Sequence, residues 1–315
     1  MDKEGSIIYD HLGEIILTLL GVVLIISVYY LFFSQSDINR ETCYDSVLAR
    51  GILPDILKAK DVAKLKCTTR KVCLTDKTFG NGDCKEEFGS DKYETVRLGS
   101  DATKREDEVN KFFARELADC WSMMHKGEFQ IFTRESSKTQ SCVVCSRIGF
   151  DKELKEELNG KVSGLGDYIL TREVPNQDMS YWKYLTGTSE SEFLNKLNER
   201  GTGAEVLKNN YFSTEQKAIV FIEIGNSNLW ESILGKIGGA VGLVAGGYVG
   251  SFIPVPGATF KLGATGVIFG WIAGENIGGH FTGEKFSSSQ ILVDYNPNDP
   301  KELRDLQCTS FENIP

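Results

Sequence analysis

Two ladders of glycine at a spacing of four constrain this chain more than any other feature. The first is Gly238, Gly242, Gly246 and Gly250, the second is Gly266, Gly270, Gly274 and Gly278, and Pro254-Val255-Pro256-Gly257 lies between them. Four residues advance an α-helix by roughly 400°, so each ladder would keep near one helix face, drifting about 40° per step. Glycine inside a helix costs roughly 0.5–1 kcal/mol relative to alanine, so this pattern needs a compensating gain. Close helix packing of the small-xxx-small kind supplies one. The interleaved Ile, Val, Leu, Phe and Trp residues argue against a glycine-rich surface loop. The expectation for 229–284 is a glycine-zipper helical hairpin, membrane-inserted or oligomerising, and through it a homo-oligomer. Its arms are short, because Ile237 to Ile253 makes about 26 Å of helix and Leu262 to Gly274 less, against a hydrocarbon core of about 30 Å. Glu275, directly after the second arm, is the possible intramembrane polar residue.

A second apolar run, Ile15 to Phe33, is relieved only by Thr18, Gly21, Ser27 and two tyrosines, Tyr29 and Tyr30, placed where an interfacial belt would lie. It predicts a transmembrane helix over 14–33 behind a cytoplasmic stub, 1–13. A cleaved signal peptide is the rival, but the basic n-region is nearly absent and no A-x-A site follows. All eight cysteines come after this run: Cys43, Cys67, Cys73, Cys84, Cys120, Cys142, Cys145 and Cys308. An even set on one side of an anchor reads as a disulfide framework in an oxidising compartment, which puts the N-terminus in the cytoplasm and the main domain outside. The partners expected are therefore the lipid bilayer and further copies of the chain, in the cell membrane. A net charge of −9 without a basic block excludes nucleic acid as an obvious partner.

Between these runs, 34–228 has the pattern of an α+β ectodomain. Lys64 to Thr78 alternates like a strand broken by Cys67 and Cys73, and Asn81-Gly82 signals a turn. Ala102 to Lys126 reads as an amphipathic helix: Val109, Phe112, Phe113, Leu117, Cys120, Trp121 and Met124 share one stripe, and Gly127 ends it. Cys120 therefore faces a core. Thr139 to Phe150 and Lys217 to Ile224 are strand candidates, and Ser189 with Glu192 forms a capping box for a short helix ending at Gly201. Gln290 to Tyr295 again has strand character, so the hairpin is expected as an insertion between strands, with 285–315 closing the ectodomain. Two crossings, or none, would leave Cys308 beside the other cysteines.

Few residues suggest chemistry. Cys142-Val-Val-Cys145 has a redox connotation, but thioredoxin-like exchange needs the first cysteine at a helix N-terminus. In a strand, a spacing of three sends the two sulfurs to opposite faces, which favours two separate structural disulfides, with core-facing Cys120 a plausible partner for one of them. A zinc site would need a second C-x2-C, and the sequence has none. His11, His125 and His280 show no metal or triad spacing and read as solvated or capping residues. Gly80-Asn-Gly82 and Gly201-Thr-Gly203 lack the third glycine of a dinucleotide fingerprint and read as turns. No catalytic, cofactor-binding or metal-binding residue is assigned.

Two resemblances complete the reading. Lys3-Glu4-Gly5 with Asp10 resembles a class III, prepilin-type leader; that likeness implies cleavage after Gly5 and a filament subunit, although the family usually carries Glu and a more basic leader. Asp119-Cys120-Trp121 on a helix, followed by Cys142-Val143-Val144-Cys145-Ser146 on a strand, resembles uncharacterised archaeal membrane-anchored proteins over residues 1 to 150. That resemblance implies an anchored, disulfide-bearing protein and no particular activity. The combined expectation is a non-enzymatic extracytoplasmic structural or assembly protein of the cell envelope, without cofactor. The alternatives are a pilin-like subunit, a pore or transport component depending on Glu275, and a thiol-disulfide oxidoreductase using Cys142 and Cys145.

Overall fold

A computed structural model describes residues 16–25, 27, 35–53, 60, 63–77, 82–99, 101–132, 140–187, 189–199, 211–224, 266–269, 287–296 and 308–312. The organising strand is β3 (Gln140–Phe150), and the elements before it are α1 (Gln35–Gly51), β1 (Arg70–Thr75), α2 (Lys85–Phe88), β2 (Glu94–Arg97) and α3 (Arg105–Met123). After it come α4 (Lys152–Glu157), β4 (Lys161–Ser163), α5 (Leu165–Thr171), α6 (Tyr181–Thr186), α7 (Glu190–Glu199), β5 (Tyr211–Ser213), β6 (Lys217–Ile224), β7 (Gly266–Phe269), β8 (Ser287–Asp294) and β9 (Cys308–Glu312).

The main sheet is mixed, in the order β2-β1-β3-β6-β8-β7, with β9 also paired to β3. On one edge of β3, β1 runs parallel to residues 146–150 and β9 runs parallel to residues 140–143. The long strand thus has two partners end to end along one edge and antiparallel β6 along the other. β6 in turn pairs with β8 from Lys217↔Asp294 to Ile224↔Ser287. The strands expected near 217–224 and 290–295 are therefore neighbours in one sheet.

α3 forms where its apolar stripe predicts and lays that stripe on the sheet. Val109, Phe113, Leu117, Cys120 and Trp121 are buried, and Phe112 is partly so. Phe113 meets Phe150 and Phe212 at ring separations of 6.0 and 4.9 Å, and Trp121 meets Phe221 at 6.1 Å. Each such fully buried side chain contributes roughly 1.5–3 kcal/mol. The helix stops through left-handed residues at His125, Lys126 and Gly127. Gly127 belongs there, since a Cβ at that position would lie 2.7 Å from Ser288 Cβ and 3.1 Å from the Trp121 ring. Beyond β3, Asp151 caps α4 by accepting from Leu154 N, and Ser189 Oγ accepts from Glu192 N at 3.3 Å to open α7. α6 and α7 meet through Trp182 stacked on Phe193 at 3.9 Å.

Two expectations are corrected. The fold is α+β with a mixed sheet and disulfides, but among the described residues no helix is long and apolar enough to cross a membrane. Residues 16–25 and 27 are helical, with large apolar side chains exposed. The predicted N-terminal transmembrane helix, 14–33, is thus overturned. The second correction falls on Gly266, expected to begin a helical ladder but found in β7, where Gly266–Phe269 pairs antiparallel with β8. Val267, Ile268 and Phe269 are β-branched or aromatic and suit a pleated, paired surface, which here overrides the four-residue glycine period. Gly238, Gly242, Gly246, Gly250, Gly270, Gly274, Gly278 and Glu275 lie outside the described residues, as do His11 and His280.

Candidate functional site

The eight cysteines form four disulfides and none is free: Cys43–Cys67, Cys73–Cys84, Cys120–Cys145 and Cys142–Cys308. The two cysteines of the C-x2-C stretch bond to different partners, as strand alternation predicts, and Cys120 is indeed one of them. Local geometry explains how. In the β3–β6 ladder Val144 pairs with Val220 and Ser146 with Ile219, leaving Cys145 as the extra residue of a bulge. A bulge re-aims its side chain, and here the sulfur meets Cys120 on α3 within the core. Cys142 lies on the β9 side of the strand, where Gln140 pairs with Cys308. Neither sulfur of the stretch is solvent-accessible to an extent that thiol exchange needs: Cys142 is fully buried and Cys145 is 5% exposed.

Sequence reasoning missed a group of buried polar side chains, which collects around Glu223 near the end of β6. Ser141 of β3 and Ser288 of β8 stand opposite Glu223 in register, so all three share a sheet face, and Gln290 is two residues further along it. The connection after α3 closes over that face, with Ile131 N and Phe132 N donating to the Glu223 carboxylate at 2.8 and 3.2 Å. Lys60 Nζ donates to Gln130 O at 2.8 Å, and the Arg50 guanidinium lies 5.6 Å from the Phe132 ring centre. Glu223, Arg50, Lys60, Gln130, Ser288 and Gln290 are all buried. Four polar atoms of the group, Gln130 Oε1, Ser288 Oγ and both amide atoms of Gln290, lack a hydrogen-bond partner among the described residues.

Burial pushes the Glu223 carboxyl up to about 7, against the opposing pull of the Ile131 and Phe132 amides and of Lys60 and Arg50. The group therefore exchanges its proton near neutrality while fastened to backbone from a different part of the chain. Its hydrogen bonds make it a clamp joining β6 to the 127–132 connection, with the charges of Arg50 and Lys60 near enough to favour the carboxylate. The sequence did hold one signal, because Glu223 is the single carboxylate in the apolar run KAIVFIEI.

On the surface, α1 and α3 enclose an open cleft of about 300 Å3 lined by Arg40, Glu41, Tyr44, Asp45, Asp119, Ser122 and Met123. At its edge Arg40 reaches Asp119 at 2.8 Å and Glu116 at 3.3 Å, and Glu116 also bonds Arg70. Arg70 then grips Glu94 with two bonds of 3.0 and 2.9 Å. Burial raises the Glu116 carboxyl even though Arg70 and Arg40 pull it down. Burial alone would lower the Arg70 guanidinium, but Glu116 and Glu94 more than offset this and hold it above its ordinary value. His125, one of the three histidines, stacks on Tyr44 at 3.7 Å and has Nε2 3.1 Å from Tyr44 O. A carbonyl only accepts, so Nε2 carries the proton. Asp119, Cys120 and Trp121 thus divide their work: the first faces the cleft and the other two hold the core. Among the described residues, no three His, Cys, Asp or Glu side chains are arranged to hold a metal ion.

Set against known protein families, characterised proteins and solved structures, the chain matches none.

Proposed function

We propose that this chain is a non-enzymatic structural or assembly protein of the extracytoplasmic side of the cell envelope. The observation that carries the reading is the commitment of every cysteine to a disulfide. Four such bonds persist in oxidising compartments and are reduced or prevented from forming in an ordinary cytosol. The bonds also tie distant elements together: Cys43–Cys67 ties α1 to the segment entering β1, and Cys142–Cys308 ties the last strand to β3 across 166 positions. A shape fastened in this way suits a protein whose role is to persist and to be bound. The assembly part of the reading rests on the first ladder, Gly238, Gly242, Gly246 and Gly250, whose spacing of four would permit close helix packing between copies.

Acid quenching of intact cells, followed by alkylation in denaturant, tests the compartment. The expected result is no alkylated cysteine until a reductant is added. Eight adducts without reductant would place the chain in a reducing compartment and end the proposal. For assembly, the oxidised full chain should cross-link into oligomers, and Gly242→Leu with Gly246→Leu should abolish them. Unchanged cross-linking in that double variant would remove the glycines from the interface.

A further inference from the structure

On the sheet face opposite Ile148, β1 and β3 place Lys71 and Arg147 side by side as register partners. Two cations in that position repel unless a carboxylate separates them. Among the described residues Asp91 does so, but unequally: it lies 2.8 Å from Lys71 Nζ and 3.7 Å from Arg147 Nη1. The first is a hydrogen-bonded ion pair and the second exceeds hydrogen-bond length. The remaining bonds of Arg147 are long, with Nη2 3.4 Å from both Glu87 O and Gln216 Oε1. Its Nε has no partner among the described residues, although the side chain is only 4% exposed.

Gln216 has the complementary deficit. Its oxygen faces the guanidinium, as it must, because a guanidinium offers donors only. The amide nitrogen is consequently turned onward, buried and without a partner. Two neighbouring side chains, one of them charged, thus each carry a donor without an acceptor among the described residues. The guanidinium is held in place by rings, with Phe88 at 5.4 Å and Tyr295 at 4.3 Å from its central carbon. Such stacking orients a cation without using its N–H groups. Of those groups Nε–H is the one left over to donate to an oxyanion oxygen, on the planar edge by which arginine exceeds lysine.

We infer that Arg147 and Gln216 form a binding site for a small oxyanion, a phosphate or a carboxylate, whose oxygens accept from Arg147 Nε and Gln216 Nε2. The charge balance favours an anion over a neutral molecule: Lys71 and Arg147 together outnumber Asp91, so one more negative charge neutralises the group. Lys71 contributes attraction, and Asp91, the carboxylate between the two cations, is 42% exposed. Burial lowers the Arg147 guanidinium in the absence of a closer counter-ion, in the direction that a missing anion would produce.

The experiment uses the oxidised full chain labelled with 15N-arginine, and follows the Arg147 Nε–H resonance, identified by its loss in Arg147→Lys. Sodium phosphate, sodium acetate and sodium chloride are titrated at equal ionic strength. The expected result is a saturable shift with phosphate or acetate and none with chloride. Phosphate alone would identify a tetrahedral oxyanion as the ligand, and a response to both would identify any two-oxygen acceptor. Gln216→Leu keeps every charge and should weaken the apparent affinity by roughly tenfold, the effect of losing one hydrogen bond to an ionised partner. A drift that never saturates, or an affinity unchanged in Gln216→Leu, overturns the inference.

Discussion

Glu223→Gln should change how the fold responds to pH more than it changes the fold. The carboxyl is held at about 7 in the folded chain against an ordinary 4.5, chiefly by burial. The folded state thus binds this proton more tightly than the unfolded state does. Its contribution to stability is complete below pH 4.5 and is lost as pH rises to about 7, after which no more is lost. At roughly 1.4 kcal/mol per pH unit, the gap amounts to about 3 kcal/mol. Glutamine cannot ionise, so that slope should vanish. It also offers one oxygen where two backbone N–H groups, from Ile131 and Phe132, need acceptors. The variant should therefore be about 1–2 kcal/mol less stable than the parent at pH 4.5 and about as much more stable at pH 8.

Urea unfolding of both oxidised proteins across that range is the assay, and their difference is the quantity to follow. Asp91, Asp101 and Glu153, each held below the usual carboxylate range by a neighbouring side-chain hydrogen bond, tilt stability the other way, but they do so equally in both proteins. A gap independent of pH would refute the argument. So would a parent that gains on the variant as pH rises, because Arg50 and Lys60 would then be keeping the carboxylate ionised throughout.

Replacing Cys120 and Cys145 together by alanine releases a bond that spans 25 positions, and chain entropy predicts a loss of about 3–4 kcal/mol, measurable as a lower urea midpoint. Gly127→Ala asks a residue at φ +68 to carry a Cβ 2.7 Å from Ser288 Cβ, so it should cost more than about 2 kcal/mol in the same measurement. Asp151→Ala removes the α4 cap and leaves the buried Thr75 hydroxyl without its acceptor. A loss of roughly 2–3 kcal/mol by thermal melting is expected, whereas Asp151→Asn should retain part of it.

What the sequence disclosed was periodic. The α3 stripe and the alternation of β3 each follow from the spacing of apolar residues, and together they turned Cys120 and one cysteine of β3 toward the same core. That the Cys145 sulfur arrives there depends on a bulge, which no alternation pattern announces, because the extra residue is defined by the partner strand. Pairings between distant strands are hidden for the same reason. β9 joins β3 beside β1, and nothing in residues 308–312 names that edge. The glycine at 266 misled because spacing four is a helical signal only when the residues between favour a helix, and Val267, Ile268 and Phe269 favour a strand. The apolar run near the N-terminus predicted a membrane-crossing helix from hydropathy alone, whereas no helix among the described residues is long and apolar enough to cross one.

Glu223 shows the opposite difficulty, a residue visible in the sequence whose meaning lies elsewhere. A carboxylate in an apolar strand is tolerable only if other segments satisfy it, and those segments are remote: Lys60, Arg50 and the amides at 131 and 132 come from before and after α3. Their convergence needs α1 docked on α3, and the Cys43–Cys67 bond holds α1 to the segment entering β1. The clamp is therefore downstream of the disulfides. Breaking Cys43–Cys67 should weaken the hold on Arg50 and Lys60 and so raise the Glu223 carboxyl further, since fewer positive charges would offset its burial. The stability slope with pH should then extend above 7 in Cys43→Ala with Cys67→Ala. An unaltered slope in that variant would mean that α1 is held over Glu223 by packing alone.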